Sequence, residues 1–496
     1  MALAAATAPL AGQQAELKPS VLTENFQPRT RSELGGFVDS LIADPMWRTA
    51  HWGVLIVDPE RGDTLYSANA GKLFLPASNV KLVTAAVALA QLGGEYRTST
   101  AVFGRRPGRD GAMPGDLVIV GRGDPSVSDS LAGDAMAPLR AIADSLAARG
   151  IKSIAGRLRR AGDAFPGDTL GLGWAWDDLD EGYAAPVDEL LFNEGFARIT
   201  VYGAERPGGP VRVRTHPARS LPRILRVNVE TSRNCCMLRS RVRARSIADG
   251  GGLAFELTGS VRAGDSTSVN VALRNPSRAF LTALEEALAS KGIRVDGGVD
   301  ADSLADTTGM ARLATLPSPP LTAMLGAFQK PSQNQLGEML LRLVGLERTG
   351  VGTADSGLVV VRRQLAEWGV DSSGAALRDG SGLSRHNFLT PESIVRLLHV
   401  MRTRADFDAY YQALPVGGVD GTIRERMVGT PAMANVRAKT GTLDKARNLS
   451  GYVTTADGRV LLFSLMANNH TVPTREVERV QDAILVYLAS MDGGLR

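Results

Sequence analysis

Cysteine, histidine and lysine are all scarce in this chain of 496 residues. The two cysteines, Cys235 and Cys236, are adjacent. Such neighbours cannot build a disulfide framework, and their spacing fits no zinc site. They read as two small residues in a strand. The five histidines form no His-x-x-x-His or similar cluster, so no metal is expected. No apolar run reaches the ~18 residues of a membrane span. Charge of one sign is missing too: the formal net charge is +4, and most basic residues are scattered arginines. In the densest patch Arg239, Arg241, Arg243 and Arg245 alternate with smaller residues. Alternation suits one face of an exposed strand better than a groove for nucleic acid.

What is present reads as globular. Apolar residues make up 44% and charged residues 22%, and the length implies two or three domains. Met1 to Gly12 is alanine-rich without a basic leader, which suggests an export-signal remnant or a disordered end. A helix is expected over 32–47, strands over 51–59 and 64–67, then a helix ending at Leu92 before Gly93 and Gly94. Strand, strand, helix is an α+β opening. Strands are predicted over 117–120 and 151–160, with a helix over 137–149 between them. Short strands at 211–215, 224–229 and 253–257 mark a β-rich module. A helix follows over 277–292. Leu316-Pro317-Ser318-Pro319-Pro320 is a boundary signal. Helices return over 321–328, 333–346 and 355–368, followed by strands over 450–454 and 460–467 and a closing helix over 476–491.

Leu75-Pro76-Ala77-Ser78-Asn79-Val80-Lys81 opens the second of these helices. Ser78 and Lys81 are three apart, hence on one face, with Cβ atoms roughly 5–6 Å apart. At that separation an amine can take a proton from a hydroxyl. The surrounding run is nearly all apolar, so the pair is expected to be buried. Free lysine titrates near ~10.4, so a neutral base at pH 7 costs about 4.6 kcal/mol. Burial and a second nearby cation both push that way. Of the eight lysines only Lys81 has a serine three residues before it. A buried helix with an incidental serine and lysine fits the same residues.

Two more polar triplets follow. Ser332-Gln333-Asn334 comes after Pro331 at a helix start and offers a hydroxyl and a carboxamide to a cleft; an ordinary N-cap uses the same residue types. Lys439-Thr440-Gly441-Thr442 reads as a strand, with Lys439 and Gly441 on one side and Thr440 and Thr442 on the other. Glycine there permits close approach of a ligand backbone. Two hydroxyls and an ammonium make a carboxylate-binding edge, although a protective lysine on an edge strand looks similar.

The order Ser-x-x-Lys, Ser-x-Asn, Lys-Thr-Gly resembles the motif set of penicillin-recognising serine acyltransferases and β-lactamases. The separation of the first two motifs, 254 residues, is too long for a compact β-lactamase. The chain resembles the class C low-molecular-mass penicillin-binding proteins, the D-alanyl-D-alanine carboxypeptidase/endopeptidase family. Gly121-Arg122-Gly123-Asp124-Pro125, Trp176-Asp177-Asp178 with Tyr183-Ala184-Ala185-Pro186-Val187, and Asp379-Gly380-Ser381-Gly382-Leu383-Ser384-Arg385 are similar to further family segments.

The resemblance implies an α+β, serine β-lactamase-like transpeptidase domain over 31–97 and 317–496, after a stub at 1–30. It implies an inserted α/β domain over 98–196 and 268–316, with a β-rich domain nested at 197–267. Ser78 would attack the bond between two D-alanines of a peptidoglycan stem peptide, with Lys81 as base. Ser332 would pass the proton to the leaving amine, and Asn334 would hold Lys81 and the substrate. Backbone N–H groups of Ser78 and Thr442 would form the oxyanion hole. Lys439, Thr440, Gly441 and Thr442 would bind the terminal carboxylate, and Lys439 would help to hold Lys81 neutral. Asp178, Tyr183, Ser381, Leu383 and Arg385 would line a pocket for the acyl-donor side chain, such as the charged end of diaminopimelate. The family needs no cofactor, takes β-lactams as covalent inhibitors and works in the periplasm or outside the cell. A β-lactamase-like hydrolase and a non-catalytic peptidoglycan-binding scaffold are the alternative readings.

Overall fold

The first and last parts of the chain build one sheet. Its strands run in the order Arg437–Leu443, Ala446–Thr454, Val460–Asn468, His51–Asp58, Asp63–Ala68, every neighbouring pair antiparallel. Alternate side chains of the central strands enter opposite cores. Leu55, Tyr452, Leu462 and Met466 pack on one side, against the helices Val80–Leu92 and Pro391–Arg402. Val54, Ile56, Leu449, Phe463 and Leu465 pack on the other, against Arg31–Ile42 and Thr474–Ala489. Two covered faces explain why His51–Asp58 and Val460–Asn468 are nearly continuous apolar runs. Every residue of Val80–Leu89 is buried, as fits a helix packed on all sides. Among the described residues no helix is long and apolar enough to cross a membrane.

This computed structural model describes residues 30–233, 239–248 and 254–492. Residues 1–29 of the N-terminal stub and the strand expected at Cys235 and Cys236 lie outside them.

Between the first and second motifs the chain leaves this sheet and forms others. A five-stranded mixed sheet has the order Val299–Leu304, Leu158–Ala161, Leu117–Val120, Ser99–Gly104, Ala311–Pro317. The helices Met136–Ala147 and Pro276–Ser290 pack with it. Two three-stranded sheets stand beyond, Arg223–Ser232 with Ala254–Arg262 and Arg241–Ile247, and Ser266–Ala272 with Phe196–Tyr202 and Arg212–His216. In Arg241–Ile247 the arginines are exposed and the residues between them half-buried, the alternation expected of that patch.

Two expected elements come out divided. The helix over 32–47 ends at Ile42, because the Asp44 carboxylate accepts from Met46 N at 2.8 Å and starts a separate short turn, Pro45–Trp47. The strand over 151–160 splits into Ser153–Ile154 and Leu158–Ala161, which serve different sheets. The chain crosses between the sheets at Gly156, where a Cβ would collide with Gly115 backbone.

Candidate active site

Ser78 sits just ahead of the α-helix, in the tight turn Ala77–Asn79 that leads into it. Ala77 takes a left-handed φ of 48°, a strained conformation for a non-glycine residue. The surroundings hold the turn in place. The Asn448 amide donates to the carbonyls of Leu75 and Pro76, both at 2.9 Å, and the Asn79 amide donates to Ser450 Oγ at 2.8 Å. Two glycines let neighbouring chain close over the turn. A Cβ on Gly441 would strike the Pro76 carbonyl, and one on Gly382 the Ala77 carbonyl.

Lys81 is fully buried on the next helical turn. Its Nζ lies 2.9 Å from Ser78 Oγ, 2.6 Å from Asn334 Oδ1 and 2.6 Å from the Ser381 carbonyl oxygen. The last two are acceptors only, so each takes an N–H. A neutral amine has two N–H groups and one lone pair, which leaves the lone pair for the Ser78 hydroxyl proton. Burial pushes Lys81 down from 10.5 to about 7, against the carboxylates of Asp379 and Glu338. Burial also lowers Lys439 well below its ordinary value, with the Lys81 cation as the next cause. Burial is thus the main force that moves Lys81 toward the neutral amine.

Ser332 follows Pro331 with a left-handed φ of 64°. It is not the cap of the next helix, Asn334–Thr349. Gln333 is, its side chain accepting from Leu336 N at 2.9 Å. Ser332 is therefore free to face the cleft, and the strained backbone puts it there. Asn334 accepts from Lys81 and donates to the Tyr183 carbonyl at 2.8 Å.

A cleft of about 850 Å³ is lined by Ser78, Ser332, Asn334, Thr440, Thr442, Asp178, Tyr183, Leu383 and Arg385, among others. Eight of these nine carry a side chain that can donate or accept a hydrogen bond. Tyr183 donates its hydroxyl to Asp178 at 2.6 Å. Lys81, Lys439, Gly441 and Ser381 are buried and are not among the residues that line the cleft. Lys439 is buried, and its Nζ donates to the neighbouring Thr440 carbonyl at 3.1 Å. The buried Ser381 turns its hydroxyl into its own loop, accepting from Leu383 N at 3.2 Å, so this residue serves Lys81 through its carbonyl and offers no side chain to a pocket. The reason is a tight loop around Asp379.

The Asp379 carboxylate accepts from Gly382 N, Ser384 N, the Asn387 amide and the Trp174 indole N–H. Buried Glu338 accepts from Gly380 N at 3.1 Å and Ser381 N at 2.9 Å and pairs with buried Arg342. Burial and the nearby Asp379 raise Glu338 to about 7. Sequence reasoning named the Asp379 segment but missed Glu338 and Arg342. The signal for those two was their place at i+4 and i+8 from the predicted Asn334, a polar stripe on the buried face of a helix. It also missed Arg447, which lines the cleft from the second strand.

A profile of the D-Ala-D-Ala carboxypeptidase 3 (S13) family matches residues 34–491. The chain belongs to the S13 family. It is 36% identical over 481 residues to the D-alanyl-D-alanine carboxypeptidase of Actinomadura sp. (strain R39), covering 93% of this chain and 85% of that one. The solved structure of penicillin binding protein 4 from Haemophilus influenzae superposes on this S13 enzyme with a TM-score of 0.76 and 25% identity, over 91% of this chain and 98% of the other. The same protein has been solved in complex with a β-lactam; that structure gives a TM-score of 0.71 at 23% identity over 92% and 98% of the chains. The fold is thus that of the penicillin-binding enzymes, and the enzyme is a serine-type D-alanyl-D-alanine carboxypeptidase.

Proposed function

We propose that Ser78 is the acylated residue and that the substrate is a peptidoglycan stem peptide ending in D-Ala-D-Ala. The Ser78 oxygen attacks the carbonyl between the two D-alanines as its proton passes to Lys81. The C–N bond then breaks, and the proton reaches the leaving amine through Ser332. Backbone N–H groups of Ser78 and Thr442 receive the oxyanion. Water releases the shortened peptide and restores Ser78. A β-lactam carries the same reactive carbonyl and stalls the enzyme at the acyl stage. The β-lactam complex of the Haemophilus influenzae protein supports this reading.

One observation carries it: Lys81 Nζ lies 2.9 Å from Ser78 Oγ with its other two contacts on pure acceptors, so the neutral amine has its lone pair for the Ser78 proton. The reading treats 31–97 and 317–496 as the catalytic unit, with 98–196 and 268–316 as an inserted domain and 197–267 nested within it. Asp178, Tyr183, Leu383 and Arg385 then select the acyl-donor side chain by one anion, one cation and an apolar wall. Such substrates lie outside the cytoplasm, so the enzyme works in the periplasm or outside the cell.

Purified pentapeptide muropeptides, digested and read by mass spectrometry, test the proposal. The parent enzyme is expected to remove one terminal D-alanine, and the Ser78→Ala variant to remove none. Intact pentapeptides after treatment with the parent, or equal trimming by the variant, would contradict it.

A further inference from the structure

The substrate carboxylate needs a cation, and Lys439 is buried and turned to a backbone carbonyl. Among the described residues the cations lining the cleft are Arg385 and Arg447. Arg385 belongs to the loop that follows Asp379. Arg447 stands at the other side, directly opposite Thr442 across the strand pair, so the two side chains share a face. Its Nη1 donates to Thr442 Oγ1, and its Nη2 pairs with Glu478 on the closing helix. Those two bonds leave donors over. The Nε is buried without a partner.

We propose that Arg447 is the cation that receives the α-carboxylate of the leaving residue, with Thr442 as its hydroxyl partner. The bond from Nη1 occupies a lone pair of the Thr442 oxygen, which leaves the Thr442 O–H to donate into the cleft, where Thr440 and Ser78 also open. Arginine stays protonated at neutral pH, and its planar fork matches a carboxylate. Burial lowers the Arg447 guanidinium somewhat and Glu478 raises it, while Arg426 and Asp482 stand nearby with opposite signs. Glu478 competes with the substrate for Arg447 and so moderates affinity. This assignment rests on the acyl-enzyme reading above.

The rival role is structural: the Arg447–Glu478 pair would only fasten the closing helix to the sheet. Two substrates and two variants separate the roles. The substrates are an N-acylated peptide ending in D-Ala-D-Ala with a free carboxylate, and the same peptide as its C-terminal amide. For Arg447→Gln, kcat/KM on the acid is expected to fall roughly 10- to 100-fold, and on the amide no more than about threefold, as for loss of one charge-assisted bond. Arg447→Lys should restore part of the preference. Glu478→Gln frees the guanidinium and is expected to raise the acid-to-amide ratio a few-fold. Equal losses on both substrates in Arg447→Gln, or a lower ratio in Glu478→Gln, overturn the proposal. Should Arg447→Gln not fold, the sign of the Glu478→Gln change decides. A penicillin adduct on Ser78 of the parent is measured alongside. Its absence overturns the acyl-enzyme reading and this assignment together, whereas its presence with an unmoved ratio overturns only the role of Arg447.

Discussion

Three oxygen atoms surround the Lys81 amine, and only one of them, on Ser78, can give it a proton. With Lys81 lowered to about 7, the sign of the pH dependence follows. Above that value the amine is neutral and its lone pair is free; below it the lone pair is lost. Acylation by a fluorescent penicillin should fall about tenfold per unit as pH drops below 7. A rate that stays flat from pH 8 to 5 would show that another group is the base. Arginine cannot deprotonate, so Lys81→Arg should lose acylation by roughly three orders of magnitude or more. Under the proposed pocket assignment, the charged residues that line the cleft act on peptide and not on penicillin. Asp178→Ala and Arg385→Ala are expected to slow turnover of a diaminopimelyl-D-Ala-D-Ala peptide by roughly one to three orders of magnitude while penicillin acylation changes little. Turnover equal to the parent would make both residues structural.

The helix starts and loops that carry these residues were legible to different degrees. Ser-x-x-Lys could be read because helical spacing alone puts residues three apart on one face. Its burial followed from the apolar run. Ser-x-Asn could be read as a triplet, but not the division of labour inside it, because an N-cap serine and a catalytic serine look alike until the backbone is seen. Gln333 caps, and Ser332 pays for its exposure with a positive φ. That strain predicts a measurable order. Glycine tolerates φ near 64° and alanine does not, so Ser332→Gly should be more stable than Ser332→Ala by about 1 kcal/mol in thermal or denaturant unfolding, while both acylate slowly. The reverse order would mean the turn is not strained. The residue types of the Asp379 loop are legible in the sequence, but the Ser381 side chain, expected in the pocket, is buried and faces its own loop. Sequence shows the loop's residue types but not that Asp379 gathers four N–H donors and turns the Ser381 carbonyl to Lys81.

The inserted part of the chain is fastened to the catalytic centre. Tyr183 accepts from Asn334, the Gly182 and Ala185 carbonyls accept from Gln335, and the Asp168 carbonyl accepts from Arg342. Trp174 donates across the same boundary to Asp379 at 3.1 Å. Trp174→Phe removes one donor from a buried carboxylate and should cost roughly 1–3 kcal/mol, read as a lower melting temperature together with slower acylation. An unchanged melting temperature would mean that this contact carries no stability. Such long-range contacts have no periodicity, so the sequence announced an insertion between the first two motifs without saying that it completes the site. The central claim, that one serine is activated by one buried lysine, is tested most directly by intact-mass and peptide-mapping spectra after penicillin treatment. A single adduct is expected, on the peptide that contains Ser78, and none in Ser78→Ala. An adduct that persists in Ser78→Ala would contradict the assignment.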